Sequence, residues 1–391
     1  DTLGHEGGDA TLVEAAGRLA HTIRAGDTVA RLSGDEFLVL LREIDDATDA
    51  GAVAGKLLDR FRTAFRVESN DVYLTASIGI ALSPLHGDTA DALLRNADTA
   101  MYQSKHTGRN TYHFFTEAMS RDIAHHLNIE QRLRLALQHD ALEIAFQPLV
   151  HLPSREVIGA EALARWHDDE LGTVAPDEFV PIAEQTGLIG AVGRELLDAA
   201  LAQAARWRRV HRSDFRVSVN VSPEQFREGR IVDDIDAALE RAGLPGDALE
   251  IEITEGALLD AHEHVDSALA ALRGRGVAIA MDDFGTGYAS LSYVRDYPLD
   301  TLKIDRGFVQ GIDVNTEQRS LVETTLRMAK GLGLRAVAEG VETAAELAVL
   351  RKEKCEMAQG YLFAAPLSAS DFDVFLSRAD VRSGTGIEQK G

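Results

Sequence analysis

The stretch VAIAMDDFGTGYASLSY, Val277–Tyr293, runs an apolar segment into two adjacent carboxylates, Asp282 and Asp283, and then into a turn holding Gly285 and Gly287. Two neighbouring acids at the mouth of a buried strand lose hydration and repel each other, so the arrangement calls for a compensating charge. Successive residues of a regular strand point to opposite faces. Both acids can therefore serve one cluster only where the strand has ended, and the two glycines are the residues that permit so sharp an exit.

The same rhythm extends on both sides. From Leu142 onward eight strand-like runs follow one another: LEIAFQPLV, EVIGAEALARW, FRVSVNVS, ALEIEITE, VAIAMDDF, LDTLKID, LRAVAEGV and MAQGYLF. Most are separated by helical stretches rich in Ala, Leu and Arg. Eight strands alternating with helices predict a (βα)8 barrel, with a doubly wound sheet as the alternative. The sequence before residue 116 reads differently. A helical stretch from Ala10 to Ile23 leads to the hairpin pattern VARLSGDEFLVLL, then a strand in YLTASIGIALS and a helix in ADALLRNADTAMYQSK. This is an α+β module with an antiparallel sheet. Between the two, residues 118–139 lack Gly and Pro and carry Met119, Ile123, Leu127, Leu133 and Leu137 near helical spacing. They predict a helix that either joins two domains or opens the second one.

With 391 residues the chain exceeds what one core usually supports, so two domains are expected. The divisions read as 1–116, a linker helix 117–139, a barrel domain 140–377 and a disordered tail 378–391. A net charge of −23 excludes a general nucleic-acid-binding face, which needs a basic stripe. No apolar run approaches the ~20 residues of a membrane span, and no signal-peptide pattern opens the chain. The one cysteine, Cys355, excludes an intrachain disulfide and suits a reducing, cytoplasmic setting. The chain begins in polar, turn-like sequence without an initiator Met and reads as a fragment of a longer protein, whose attachment to a membrane through upstream sequence is left open.

From the second expected barrel strand onward, polar residues stand at or near the C-terminal ends. Glu161 lies within or just after strand two, and Asn220 ends strand three. Glu252 and Glu255 end strand four, Asp282 and Asp283 strand five, and Lys303 and Asp305 strand six. Glu339 and Glu342 end strand seven, while Gln359 lies at strand eight. In a barrel these ends form one face, where active sites are built. So many acids repel unless cations intervene, and donors that are all oxygens favour Mg²⁺ or Mn²⁺. Asp282–Asp283 is suited to place one carboxylate between two ions, and ions ~3.5–4 Å apart suit phosphodiester hydrolysis. The competing reading is a coincidental rim of solvated charge, with Lys303 a surface residue. The sequon Asn220-Val221-Ser222 is discounted without a secretory context.

The motifs FQPLV, EALARW, NVS, EIEITE, DDFGTGYASLSY, LKID, AEGVE and QGYLFAAPL, in this order over residues 140–377, resemble the EAL domain of cyclic di-GMP-specific phosphodiesterases. The resemblance implies a barrel of the (βα)8, TIM-like type whose first strand runs antiparallel to the rest. It implies hydrolysis of cyclic di-GMP to linear pGpG with two Mg²⁺ or Mn²⁺ ions per site. Glu161, Asn220, Glu252 and Asp282 then stand as ligands of one ion, with Asp282 bridging to the second and Asp283 and Glu339 beside it. Lys303 stands next to the attacking water, either as its general base or lowering its pKa by charge. Gln147, Leu163 and Arg165 line the substrate, with Asp305, Glu342 and Gln359 around them, and Glu255 braces the loop after Asp283. All the acidic positions of the pattern are present, which favours catalysis over a receptor role.

The first domain resembles the GGDEF domain of diguanylate cyclases, a ferredoxin-like, nucleotidyl-cyclase palm-like α+β fold, here partial. The marks are GHEGGD, SGDEF, SIGIA and MYQSKHTGRN. Asp9 matches a guanine-contacting position, Asp35 and Glu36 the metal and catalytic acids, and Lys105 and Arg109 the triphosphate holders. Arg24 and Asp27, five residues before Ser33, match the inhibitory RxxD site for cyclic di-GMP. Two departures stand against synthesis by this chain. Ser33 adds a Cβ to the tight loop, and the family's first strand, with an aspartate and an asparagine, is absent from the sequence. A regulatory domain sensing GTP or cyclic di-GMP, or a cyclase disabled by truncation, is expected, with a bifunctional diguanylate cyclase/phosphodiesterase in a full-length protein as the alternative. The resemblance also implies a homodimer through the EAL domain, with the loop after Asp283 reporting dimer contacts to the metals.

Overall fold

The structure, a computed structural model, describes residues 4–44, 46–67, 70–256, 263–285 and 297–383. Gly287 and the rest of the loop to Ser292 and Tyr293, like residues 384–391 of the expected tail, lie outside the described residues. The chain divides into two compact units, Asp1–Asn128 and Ile129–Gly391.

In the first unit, α1 (Gly4–Thr22) is followed by the hairpin β1 (Thr28–Ser33) and β2 (Glu36–Leu40). Then come α2 (Ala47–Phe61), β3 (Phe65–Val67), β4 (Asn70–Val72), β5 (Ile78–Ile80), α3 (Ala90–His106) and β6 (Tyr112–Phe114). Ala15 and Leu19 of α1 pack with Leu57 and Phe61 of α2 and with Phe65, which makes a small core. The expected antiparallel sheet needs correction. The strands form separate two-stranded ladders; β1–β2 and β3–β4 are antiparallel, but β5–β6 is parallel. The reason is α3, which lies between β5 and β6 in the chain and returns it in the same direction. Gly79 makes this packing possible, since a Cβ there would stand 1.9 Å from the carbonyl oxygen of Ala97 on α3.

Helix α4 (Glu117–Gln138) contains the division between the units. Its second half buries Ile129, Leu133 and Ala136 in the second unit, against Trp166, Val174 and Phe179. Arg132 fixes the same half, its Nε donating to Asp168 Oδ2 at 2.8 Å.

The second unit is a closed barrel of eight strands: β7 (Leu142–His151), β8 (Glu156–Asp168), β10 (Arg216–Asn220), β11 (Leu249–Thr254), β12 (Ala278–Phe284), β13 (Thr301–Ile304), β14 (Arg335–Ala338) and β15 (Met357–Ala358). Two short strands extend it, β9 (Gly172–Val174) beside β8 and β16 (Leu367–Ser368) beside β7. From β8 to β15 every neighbouring barrel pair is parallel, whereas β7 is antiparallel to both β8 and β15. Ring closure removes the doubly wound alternative. β7 joins β8 through a hairpin, so no crossover helix exists to turn it round. Apolar residues alternate outward toward the helices, as Leu249, Ile251 and Ile253 do on β11. Glu250 and Glu252 of that strand therefore face the interior.

The last helix, α5 (Ala369–Ser383), continues past Arg378, where the sequence places the start of a tail. Phe372 is its anchor. Its ring meets Trp207 at 4.7 Å, and Trp207 meets Phe146 at 4.8 Å and Phe215 at 5.3 Å. The indole Nε1 of Trp207 donates to Asp373 Oδ1 at 2.8 Å. Phe372→Ala is expected to cost about 3–5 kcal/mol, as for other fully buried aromatics. Urea unfolding followed by tryptophan fluorescence measures it. A change below about 1 kcal/mol would show that the helix is not held by this cluster.

Candidate active site

The barrel register sets the site. Gln147 on β7 lies opposite Glu161 on β8, and Asn220 lies beside Glu252. At this level β13 contributes Lys303, whose side chain is 3% exposed. Its Nζ lies 2.5 Å from Glu252 Oε2, 2.7 Å from Glu339 Oε1, 3.3 Å from Asp282 Oδ1 and 3.5 Å from Glu161 Oε2. Since β8 and β11 are not neighbours of β13 in the sheet, these contacts cross the barrel interior.

Glu161 is further held by two amides. Asn220 Nδ2 donates to its Oε1 at 2.8 Å, and Gln359 Nε2 to its Oε2 at 2.6 Å. Gln359 also reaches Gln147 Oε1 at 2.9 Å. Burial pushes the Glu161 carboxyl up, but the Lys303 charge and these donors outweigh it and hold the group below the usual carboxylate value. Glu252 goes the other way. Its burial and the charge of Glu161 raise it well above that value against the pull of Lys303. Glu339 is pushed up to about 8 by burial, with Asp282 and Glu161 adding to the shift and Lys303 opposing it. For Lys303 itself burial favours the neutral amine, yet the surrounding carboxylates more than offset this and raise its pKa.

The Asp282–Asp283 pair departs from expectation in its cause. The strand has not ended there; β12 runs through to Phe284. Its register with β13 shifts between Met281 and Phe284, and Asp283 sits at φ 54°. A bulge with a left-handed residue thus re-aims the second carboxylate, the usual effect of such an irregularity. The Asp283 N–H donates to Asp282 Oδ1 at 2.9 Å. Gly285 follows at φ 101°, where a Cβ would stand 2.8 Å from the Phe308 ring. Its N–H donates to Glu255 Oε2 at 3.2 Å, so Glu255 touches the loop it was expected to brace. Asp282, Asp283 and Glu339 each offer an oxygen within 4.8 Å of the others. A donor set of carboxylates and one amide oxygen fits a hard divalent cation.

Other expected residues stand apart from the Lys303 cluster. Arg165 is half-buried and donates from Nη1 to the Ala164 carbonyl at 2.8 Å, and Leu163 is half-buried beside it. Asp305 accepts from the Gly307 N–H at 2.9 Å and caps the short helix after β13. Glu342 is exposed and accepts from Gln310 Nε2 at 2.9 Å. In the first unit Asp9, Asp35, Glu36, Lys105 and Arg109 are all exposed. Asp27 accepts from the Arg42 N–H at 2.9 Å and the Arg24 N–H at 3.2 Å, with Arg24 Nε 3.6 Å away, so the pair braces its own turn.

Buried acids of the barrel unit that escaped the sequence reading include Glu346 and Glu250. Glu346 accepts from the N–H groups of Gly311, Glu342 and Thr343 and ties two loops of the site face. Its signal was the Thr343–Glu346 capping box. Glu250, on the same face of β11 as Glu252, meets Arg335 of the non-adjacent β14 at 3.3 Å across the interior and Arg216 of the neighbouring β10 at 3.4 Å. Strand alternation alone placed it there.

The fold and the donor set define a TIM-type barrel whose carboxyl ends can hold divalent cations. The chain belongs to the EAL domain family, whose model matches residues 130–366, more than half of the sequence. Residues 1–111 match the family model of the diguanylate cyclase, GGDEF domain. Over 369 residues the chain is 40% identical to the bifunctional diguanylate cyclase/cyclic di-GMP phosphodiesterase MucR of Pseudomonas aeruginosa, covering 94% of this chain and 54% of that one. It is 36% identical over 378 residues to the cyclic di-GMP phosphodiesterase PdeR of Escherichia coli, covering 97% and 57%. The chain spans about half the length of the curated relatives it matches. The solved PaMucR phosphodiesterase in complex with c-di-GMP is similar at 36% identity and a TM-score of 0.60, over 63% of this chain and 99% of that one.

Lys303→Met leaves the buried carboxylates without their cation. In metal-free buffer it is expected to lower stability by about 3–5 kcal/mol, the cost of breaking a buried ion pair on one side. The urea midpoint of chelator-treated protein checks this, and an unchanged midpoint would refute it.

Proposed function

We propose that the barrel hydrolyses cyclic di-GMP to linear pGpG with two Mg²⁺ or Mn²⁺ ions, in a bacterial second-messenger pathway of the cytoplasm. The observation that carries this reading is the gathering of Glu161, Glu252, Asp282 and Glu339 around Lys303 at one end of the barrel. Membership of the EAL family, whose domain is that of metal-dependent phosphodiesterases, supports it, as do relatives and a solved complex named for cyclic di-GMP.

Glu161, Asn220, Glu252 and Asp282 would hold one ion, with Asp282 shared and Asp283 and Glu339 holding the other. With the Asn220 amide nitrogen engaged by Glu161, its Oδ1 remains to serve as ligand. The bound ions would neutralise the phosphodiester and stabilise charge on its attacking and leaving oxygens. Lys303 would favour loss of a proton from the attacking water by its charge, and Arg165 offers a fork of donors suited to a phosphate. Gln147, Leu163, Asp305, Glu342 and Gln359 would line or steady the substrate, with Glu255 bracing the loop after Asp283.

The first unit is read as regulatory, binding GTP or cyclic di-GMP, and the second as the surface of a homodimer. Sedimentation velocity tests the dimer.

The decisive experiment supplies cyclic di-GMP and Mg²⁺ or Mn²⁺ to the purified chain, with and without GTP, and follows products by chromatography. Conversion to pGpG is expected, with a loss of at least 100-fold on Glu161→Ala, because the ion that would stabilise transition-state charge loses a ligand. Tight binding without turnover would instead make the barrel a receptor.

A further inference from the structure

We propose that Lys303 is the internal counter-cation of the metal-free site, and that a divalent ion occupies the site in competition with it. This rests on the metal-dependent reading above and concerns how the site loads. The ammonium approaches four carboxylates at 2.5–3.5 Å, yet it has only three protons to donate. It stands where strands from opposite sides of the barrel converge, so an ion that takes Glu161, Glu252 and Asp282 must share them with a positive charge a few ångströms away. Two cations at that range repel strongly in a buried site.

Glu161, Glu252 and Asp282 are all buried, and Lys303 engages each of them and Glu339 as well. Toward the rim, Asp282, Asp283 and Glu339 already have oxygens within 4.8 Å of one another. An ion taken by either set therefore meets the lysine charge, which weakens its binding. A lysine that only organised the ligands would have the opposite effect on affinity, because its loss would scatter them.

Chelator-stripped full chain and its Lys303→Met variant are titrated with Mn²⁺, and the free-ion signal is read by electron paramagnetic resonance. The variant is expected to bind Mn²⁺ at least tenfold more tightly, a modest share of the repulsion between charges this close. Equal or weaker binding by folded variant overturns the inference. Because the variant is destabilised without metal, the wild-type protein supplies a second readout, the ¹⁵Nζ resonance of the Lys303 ammonium. It is expected to shift or vanish as Mg²⁺ is added, and a signal unmoved at saturation overturns the inference. Should the wild type bind no Mn²⁺ at all, the metal-dependent reading itself falls, and this inference with it.

Discussion

One ammonium group holds the acidic end of this barrel together. Four carboxylates from strands β8, β11 and β12 and the end of β14 meet inside a closed ring of strands, where isolated charges are costly. Lys303 is the cation that makes their convergence tolerable, and the amides of Asn220 and Gln359 fix the one carboxylate it reaches least closely. The donors on Glu161 favour its ionised form, while Glu252 and Glu339 are shifted toward protonation. The same environment thus gives chemically similar residues different properties, decided by hydrogen bonds and distance.

The opposite end of the barrel solves a related problem by other means. Glu250 is buried there between Arg216 and Arg335, with Thr301 accepting from Arg335 at 2.9 Å. Each arginine presents a fork of donors, so this acid is satisfied without any further ion. At the site end, among the described residues, a single lysine faces four acids. That excess of negative charge suits a divalent cation.

Much of this was legible in the chain. Glu252 was read as ending strand four, and the succession of strand-end acids pointed to one cluster. The pairing of Asp282 with Asp283 was legible too, but its cause was misread. A strand end and flexible glycines were expected, whereas a register shift and a left-handed Asp283 turn the carboxylate. A bulge depends on the partner strand, and no local pattern announces it. The parallel β5–β6 ladder was missed for the same reason: pairing direction belongs to two segments and the helix between them.

Lys303 marks the boundary most clearly. By itself the run LDTLKID offers a lysine near a strand end, equally suited to a solvated rim. The sequence determined which residue types stand at which strand ends, because side-chain alternation and helix spacing are local properties. Only the closing of the ring decided that Lys303 reaches Glu161 and Glu252 from the far side, since contacts between non-adjacent strands exist only once the barrel has an interior.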